Sequence, residues 1–235
     1  MFNEYHNSKK VTMENNDFIS YQRPIIAPSE MLEKASSFHS FMEERRTLRE
    51  FSEREISKEI MEEILMAAST APSGAHKQPW VFCAVSDPKI KTQIREAAEK
   101  EEYTNYHGRM SEEWVDDLKP FSTNWNKPFL EKDPWLIIVM KKAYDFEGEE
   151  KKNNYYVTES VGLAAGFLLT AIHNAGLVAL THTPSPMNFL TKVLERPANE
   201  RPFLLIPVGY PTENAEVPNL TRKSAEEVIA YYTGN

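Results

Sequence analysis

Pro134-Trp135-Leu136-Ile137-Ile138-Val139-Met140 is a nearly unbroken apolar run. A strand with one face in water alternates apolar and polar residues, whereas a continuous run of this length needs cover on both faces. The run therefore predicts a strand at the centre of a sheet with helices on either side. Outward from it, residues 79–85 are rich in β-formers and aromatics and predict a second strand, residues 177–180 a short third, and residues 203–208 a fourth closed by Gly209-Tyr210-Pro211. Helical patterns lie between them. One starts at Ser29, one is capped by Ser57 with Ile60, Ile64, Leu65 and Ala68 on one face, and one is opened by Asp87-Pro88 and runs to about Asn105. Residues 153–175 form another, apolar nearly all round after Val161, and such a helix must be buried in a core or between subunits. Strands alternating with longer helices predict an α/β or α+β sandwich.

Composition narrows the partners. A net charge of -8 over 235 residues argues against nucleic acid, because phosphate backbones require clustered Lys and Arg. Cys83 is the only cysteine, so no internal disulfide forms, and its apolar surroundings predict a buried structural thiol. The six histidines show no metal-ligand spacing, and no metal is expected. The first 18 residues, MFNEYHNSKKVTMENNDF, have neither a signal-peptide core nor a membrane span, which predicts a soluble, cytoplasmic protein without a membrane partner. Residues 1–40 read as an N-terminal arm and residues 41–235 as the main domain. No G-x-G-x-x-G follows a strand, so a dinucleotide-binding Rossmann unit finds no support.

Two clusters carry candidate chemistry. Arg45-Arg46-Thr47-Leu48-Arg49 gathers three guanidinium groups and a hydroxyl, which could hold a phosphate and leave a cation for another acceptor, although such runs are more often a solvated helix face. Residues 70–76 (TAPSGAH) form a Pro- and Gly-containing loop at a helix-to-strand junction.

R-R-T-L-R-x-F at Arg45, A-P-S-G-A-H-K-Q-P-W at Ala71, L-x-P-V-G-Y-P at Leu205 and the late Arg222-Lys223 occur in the order that resembles the nitroreductase family of FMN enzymes. The resemblance implies an α+β fold, an α-β-α sandwich with a mixed central sheet, assembled as a domain-swapped homodimer with FMN at each subunit interface. It implies that Arg45 and Thr47, with Arg222, hold the phosphate, that Arg46 also belongs to the cofactor site, and that Arg49 faces the flavin N1 and O2 edge, where a fixed cation favours the reduced ring. Pro72, Ser73 and Gly74 would come from the partner subunit. Thr181, His182 and Thr183 would lie beside the isoalloxazine, with the Thr183 hydroxyl near N5 as the catalytic contact favouring one-electron steps. His182 stands where vertebrate members have threonine.

Residues 99–130 point to the substrate. Glu102 and Tyr106 are four apart, and Lys127 follows in Thr123-Asn124-Trp125-Asn126-Lys127; a carboxylate, a phenol and an ammonium together suit a zwitterion. Taken alone, Glu99-Lys100-Glu101-Glu102 would be an ordinary solvated charge run. E-E-x-x-N-Y, R-M-x-x-x-W-V-x-D-L and T-N-W-x-K resemble the substrate lid of the iodotyrosine deiodinases, a branch of the same family. That resemblance implies Glu102, Tyr106 and Lys127 as substrate ligands, with the Ala75 backbone N–H meeting the substrate phenolate. The implied reaction is FMN-dependent reductive dehalogenation of 3-iodotyrosine, with 3,5-diiodo-, bromo- and chlorotyrosine as further candidates. Electrons would come from NAD(P)H or a reductase partner. Trp114, Phe121, Trp125 and Phe129 read equally as an apolar lid lining or as ordinary packing, and the lid is expected to be mobile without ligand. The alternatives are a general NAD(P)H-dependent nitro- or quinone reductase, for which the FMN site suffices, and a flavin-binding protein without turnover.

Overall fold

The structure, a computed structural model, describes residues 18–234; the first 17 residues of the expected arm lie outside them. The chain divides into two compact units, one ending at Phe41 and one beginning at Met42. Helix α1 (Pro28–Glu43) starts in the first unit; none of its residues is buried, and Met31, Leu32 and Phe38 stand exposed.

In the second unit, the apolar run forms β2 (Trp135–Lys142), flanked by β1 (Trp80–Val85) and β6 (Glu200–Gly209), with β5 (Val178–Ala179) beyond β6. The central placement read from the run is correct. Its alternate residues serve different cores, which is why no polar position interrupts it. Ile137 and Val139 pack with Ile64, Ala68, Leu168 and Ile172 from α2 (Lys58–Ala68) and α6 (Val157–Asn174). Leu136, Ile138 and Met140 pack on the other face with Ile94 and Ala98 of α3 (Pro88–Thr104) and Leu190 of α7 (Asn188–Val193). The result is an α-β-α sandwich. Its three strand ladders are antiparallel, and a parallel bridge between Thr47 and Ala179 makes the sheet mixed.

Local chemistry sets the helix starts. The Ser57 hydroxyl accepts from Ile60 N, and Asp87 Oδ1 accepts from Lys89 N at 2.8 Å and Ile90 N at 3.2 Å, with Pro88 in the first turn where no donor is missed. On α2 the inward stripe is Met61, Ile64 and Ala68; Ile60, expected inward, is 46% exposed, one position off the buried face. The helix expected over residues 153–175 begins at Val157, because the preceding residues form a hairpin, β3 (Tyr144–Glu147) and β4 (Glu150–Asn153). Cys83 is half-buried on β1, and burial pushes its thiol up. No helix among the described residues is long and apolar enough to cross a membrane.

The segment expected to form the lid leaves the sandwich at the end of α3. Residues 105–109 make a wide turn closed by Met110 N donating to Asn105 O, followed by α4 (Glu112–Leu118) and α5 (Phe129–Lys132). Its two feet are tied together. The Glu99 carboxylate accepts from Arg95 Nε at 2.8 Å and from the Lys127 backbone N at 2.7 Å, while Arg95 also reaches Glu131 and Asn126. Lys91, nearly buried on α3, donates to the Asp133 carbonyl and fastens the same helix to the start of β2.

Candidate cofactor and substrate site

The Arg45–Arg49 stretch lies between α1 and α2, where Thr47 bridges Ala179 and Leu48 N donates to Ala179 O at 3.2 Å. That pairing fixes the backbone, and the stretch lines a cavity of about 180 Å³ with Phe121, Val217, Pro218, Leu220, Thr221 and Arg222. Arg45, Arg46, Thr47, Arg49 and Arg222 all border it, so the residues expected at the phosphate and Arg49, expected at the flavin edge, meet in one place. The C-terminal segment is held there by the arginines themselves. Arg222 donates to the carbonyls of Glu43 (3.2 Å) and Arg45 (3.0 Å), and Arg46 donates to that of Pro218. Burial lowers the affinity of Arg45 for its proton, and the cations of Arg222 and Arg46 lower it further. Converging guanidinium groups that repel one another are suited to a multiply charged anion.

Next to this cavity Arg49 stacks 5.7 Å from the Phe121 ring centroid, and its charge reaches Tyr106, Lys127 and His182. Glu102 and Lys127 are both buried and pair at 3.6 Å, against the solvated reading of the charge run. Lys127 Nζ also donates to Thr123 Oγ1 at 3.2 Å and to the Asn124 carbonyl, and lies 5.5 Å from the Tyr106 ring centroid. Burial pushes the Glu102 carboxyl up and the Lys127 ammonium down, each opposed by the other's charge. Burial and Glu102 push the Tyr106 hydroxyl up, against its bond to Thr123 and the Arg49 charge. Tyr106 sits on the wide turn just past the end of α3, yet stays beside Glu102.

The strand-end segment forms the third wall. His182 pairs with Leu205 in both directions, its N donating at 2.8 Å and its O accepting at 3.0 Å. Its ring is buried edge-on to Phe129, and among the described residues nothing hydrogen-bonds Nε2. Burial, aided by the Lys127 and Arg49 charges, lowers its pKa to about 3, so the imidazole is neutral. Thr181 and Thr183 on either side are exposed.

Pro72, Ser73, Gly74 and Ala75 do not join these groups within one chain. Their loop packs on the head of α6, with Gly74 N donating to Ser160 Oγ and a Cβ on Gly74 falling 2.9 Å from the Tyr155 carbonyl. Ala75 is exposed, with a left-handed φ of 49°. A larger cavity of about 670 Å³, between α2 and β1 and lined by Met61, Leu65, Trp80, Phe82 and Trp135, holds none of the expected site residues. Of the four lid aromatics, Phe121 and Phe129 turn inward while Trp114 and Trp125 are exposed. Reading the sequence missed Thr123, which lay inside the motif as a bond partner for Lys127, and Val217, Pro218 and Leu220, whose apolar character gave no chemical signal.

The α-β-α sandwich thus brings an arginine-walled cavity close to a buried carboxylate–ammonium pair and a phenol. The chain belongs to the nitroreductase family, whose model matches residues 42–210. It is 63% identical over 217 residues to the iodotyrosine deiodinase of Haliscomenobacter hydrossis, covering 92% of this chain and 97% of that one. Identity to human iodotyrosine deiodinase 1 is 40% over 218 residues, covering 92% and 75%. A crystal structure of oxidized iodotyrosine deiodinase bound to FMN and 3-iodo-L-tyrosine superposes with a TM-score of 0.71 at 32% identity, covering 84% of this chain and 99% of that one.

Proposed function

We propose that this protein is an FMN-dependent reductive dehalogenase of halotyrosines, with 3-iodotyrosine as its principal substrate. The observation that carries the reading is the buried Glu102–Lys127 pair, with the half-buried Tyr106 ring against Lys127, close to Arg49 of the arginine cavity. The relatives named deiodinases, at up to 63% identity over nearly the whole chain, support it. FMN, when bound, supplies the electrons: two of them and one proton replace the carbon–iodine bond with carbon–hydrogen and release iodide.

The chain's own residues bind, orient and exclude water. Arg45, Arg46, Thr47 and Arg222 hold the phosphate, and Arg49 is assigned to the electron-rich edge of the ring. Glu102 accepts from the substrate ammonium, Lys127 donates to its carboxylate, and the Tyr106 hydroxyl orients it. Glu102 and Lys127 already neutralise each other in the recess, so a ligand must offer both charges to replace what it displaces. Phe121 and Phe129 keep the inner side dry. The Thr183 hydroxyl is assigned to the flavin N5 side, with Thr181 and His182 flanking it.

The working unit is a homodimer with its active sites at the subunit interface. Pro72, Ser73, Gly74 and the Ala75 N–H are contributed by the second copy, which accounts for their distance from the arginine cavity within one chain. The half-exposed Leu163 and Phe167 on α6 offer apolar surface for that contact. Residues 1–40 serve as an arm and residues 41–235 as the FMN domain. NAD(P)H or a reductase partner supplies electrons, in the cytoplasm.

The test is anaerobic mixing of the reduced holoenzyme with 3-iodotyrosine, following flavin reoxidation and iodide release in the wild type, Glu102→Gln and Lys127→Gln. The wild type reoxidises and yields tyrosine, and each variant needs at least about tenfold more substrate, the value of a charged hydrogen bond. A reduced wild type that keeps its electrons and releases no iodide sinks the reading.

A further inference from the structure

Glu102 and Tyr106 lie on the lid side of the recess, and Thr183 lies on the sheet side. Between them, among the described residues, one direct polar link is formed. Asn105, buried at 7% exposure, sends Nδ2 to the Ser185 carbonyl at 2.8 Å, spanning 80 residues of sequence. The orientation of its amide is fixed from the other end. Arg109 Nη1 donates to Asn105 Oδ1 at 3.4 Å and is itself held by Glu101 at 2.6 Å. The backbone of Asn105 closes both α3, by donating to Glu101 and Glu102 carbonyls, and the wide turn, by accepting from Met110. Any shift of Glu102 or Tyr106 on ligand binding therefore moves Asn105.

On the sheet side, Thr183 is the middle of a short span with two fixed ends. His182 is locked to Leu205 through both backbone groups, and Ser185 is held by Asn105. Thr183 is exposed and among the described residues makes no hydrogen bond, so its placement depends on those ends.

We propose that Asn105 is a positioning residue that passes substrate engagement at Glu102 and Tyr106 to the Thr183 hydroxyl, by holding the Ser185 carbonyl. The inference rests on the dehalogenase reading above, in which Thr183 faces the flavin. The Asn105 side chain is engaged by Ser185 and Arg109, so it acts through them. Its effect is on the alignment of Thr183, and so on the rate once substrate is bound.

Asn105→Ala removes the donor, and Asn105→Asp keeps the size while turning a carboxylate oxygen toward a carbonyl. Both holoenzymes are compared with the wild type and with Thr183→Ala in 3-iodotyrosine turnover, and in the visible spectrum of the flavin during anaerobic stepwise reduction with tyrosine bound. In a background with Thr183, each substitution lowers kcat about tenfold or more while KM moves less than about threefold, and changes the one-electron-reduced absorbance. In the Thr183→Ala background the same substitutions cost less than about twofold further, because the group they act through is gone. Should Asn105→Ala not fold, Asn105→Asp carries the comparison. Full additivity with Thr183→Ala, or a loss confined to KM, overturns the coupling while leaving the dehalogenase reading intact. A wild type that releases no iodide overturns both.

Discussion

His182 keeps its ring in the recess with Nε2 unmatched, beside two cations. In the unfolded chain an imidazole takes its proton as pH falls through about 6.5, whereas in the folded protein this one does so only near about 3. Across that interval the unfolded state binds the extra proton, so stability falls as pH falls. The slope from this residue is about 1.4 kcal/mol per pH unit. Urea denaturation of the apoprotein at about pH 7 and about pH 5 will show that loss, and His182→Gln will reduce it. A slope unchanged by the substitution rules out the buried neutral imidazole. Gly74 gives a second prediction at this scale. Its missing Cβ makes room for the Tyr155 carbonyl, a backbone atom that cannot rotate away. Gly74→Ala therefore costs about 1–3 kcal/mol, read as a lowered Tm.

At the scale of elements, most of the sandwich was legible because its signals are local and strong. The two-sided apolar run of β2 and the Asp87-Pro88 start of α3 each have a single physical cause. Asp87→Ala removes the acceptor for two orphan amides and lowers stability by about 1 kcal/mol, measurable by denaturant titration. The β3–β4 hairpin escaped notice because its strands are short, charged and mostly exposed, leaving Gly148 at the turn, with φ 64°, as the only signal. Ile60 was misassigned for a related reason: Ile60 and Met61 are both apolar neighbours, and only the sheet decides which faces it. In the site, the arginines and the Glu102, Tyr106 and Lys127 trio could be named from motifs. Asn105 could not, because its partner is a backbone carbonyl 80 residues away. The lid yields its own prediction. Its middle, with Trp114 and Trp125 exposed, is cut by limited proteolysis in the free holoenzyme and protected by 3-iodotyrosine. Equal resistance in both conditions counts against ligand-dependent closure.

For the whole molecule, the separation of the Pro72 to Ala75 loop from the arginine cavity makes one chain an incomplete site in the proposed dimer. Introducing Leu163→Asp with Phe167→Asp on α6 then yields a monomer in sedimentation that also loses FMN on gel filtration. A double variant that sediments as the wild type does, with flavin retained, places the subunit contact elsewhere. The lid feet carry a different consequence. Arg95 and Glu99 fasten residue 99 to residue 127 directly, independent of what lies between, while Lys91 secures the same helix to β2. The intervening segment is thus anchored at both ends, so changes in its exposed stretch around Trp114 leave the sheet undisturbed, while Phe121 and Asn105 tie the rest of it to the arginine cavity and to Ser185. Descent from a common flavoprotein ancestor then has an exposed stretch in which to rewrite what is accepted, whereas changes at Phe121 or Asn105 would also reach the electron chemistry beneath it.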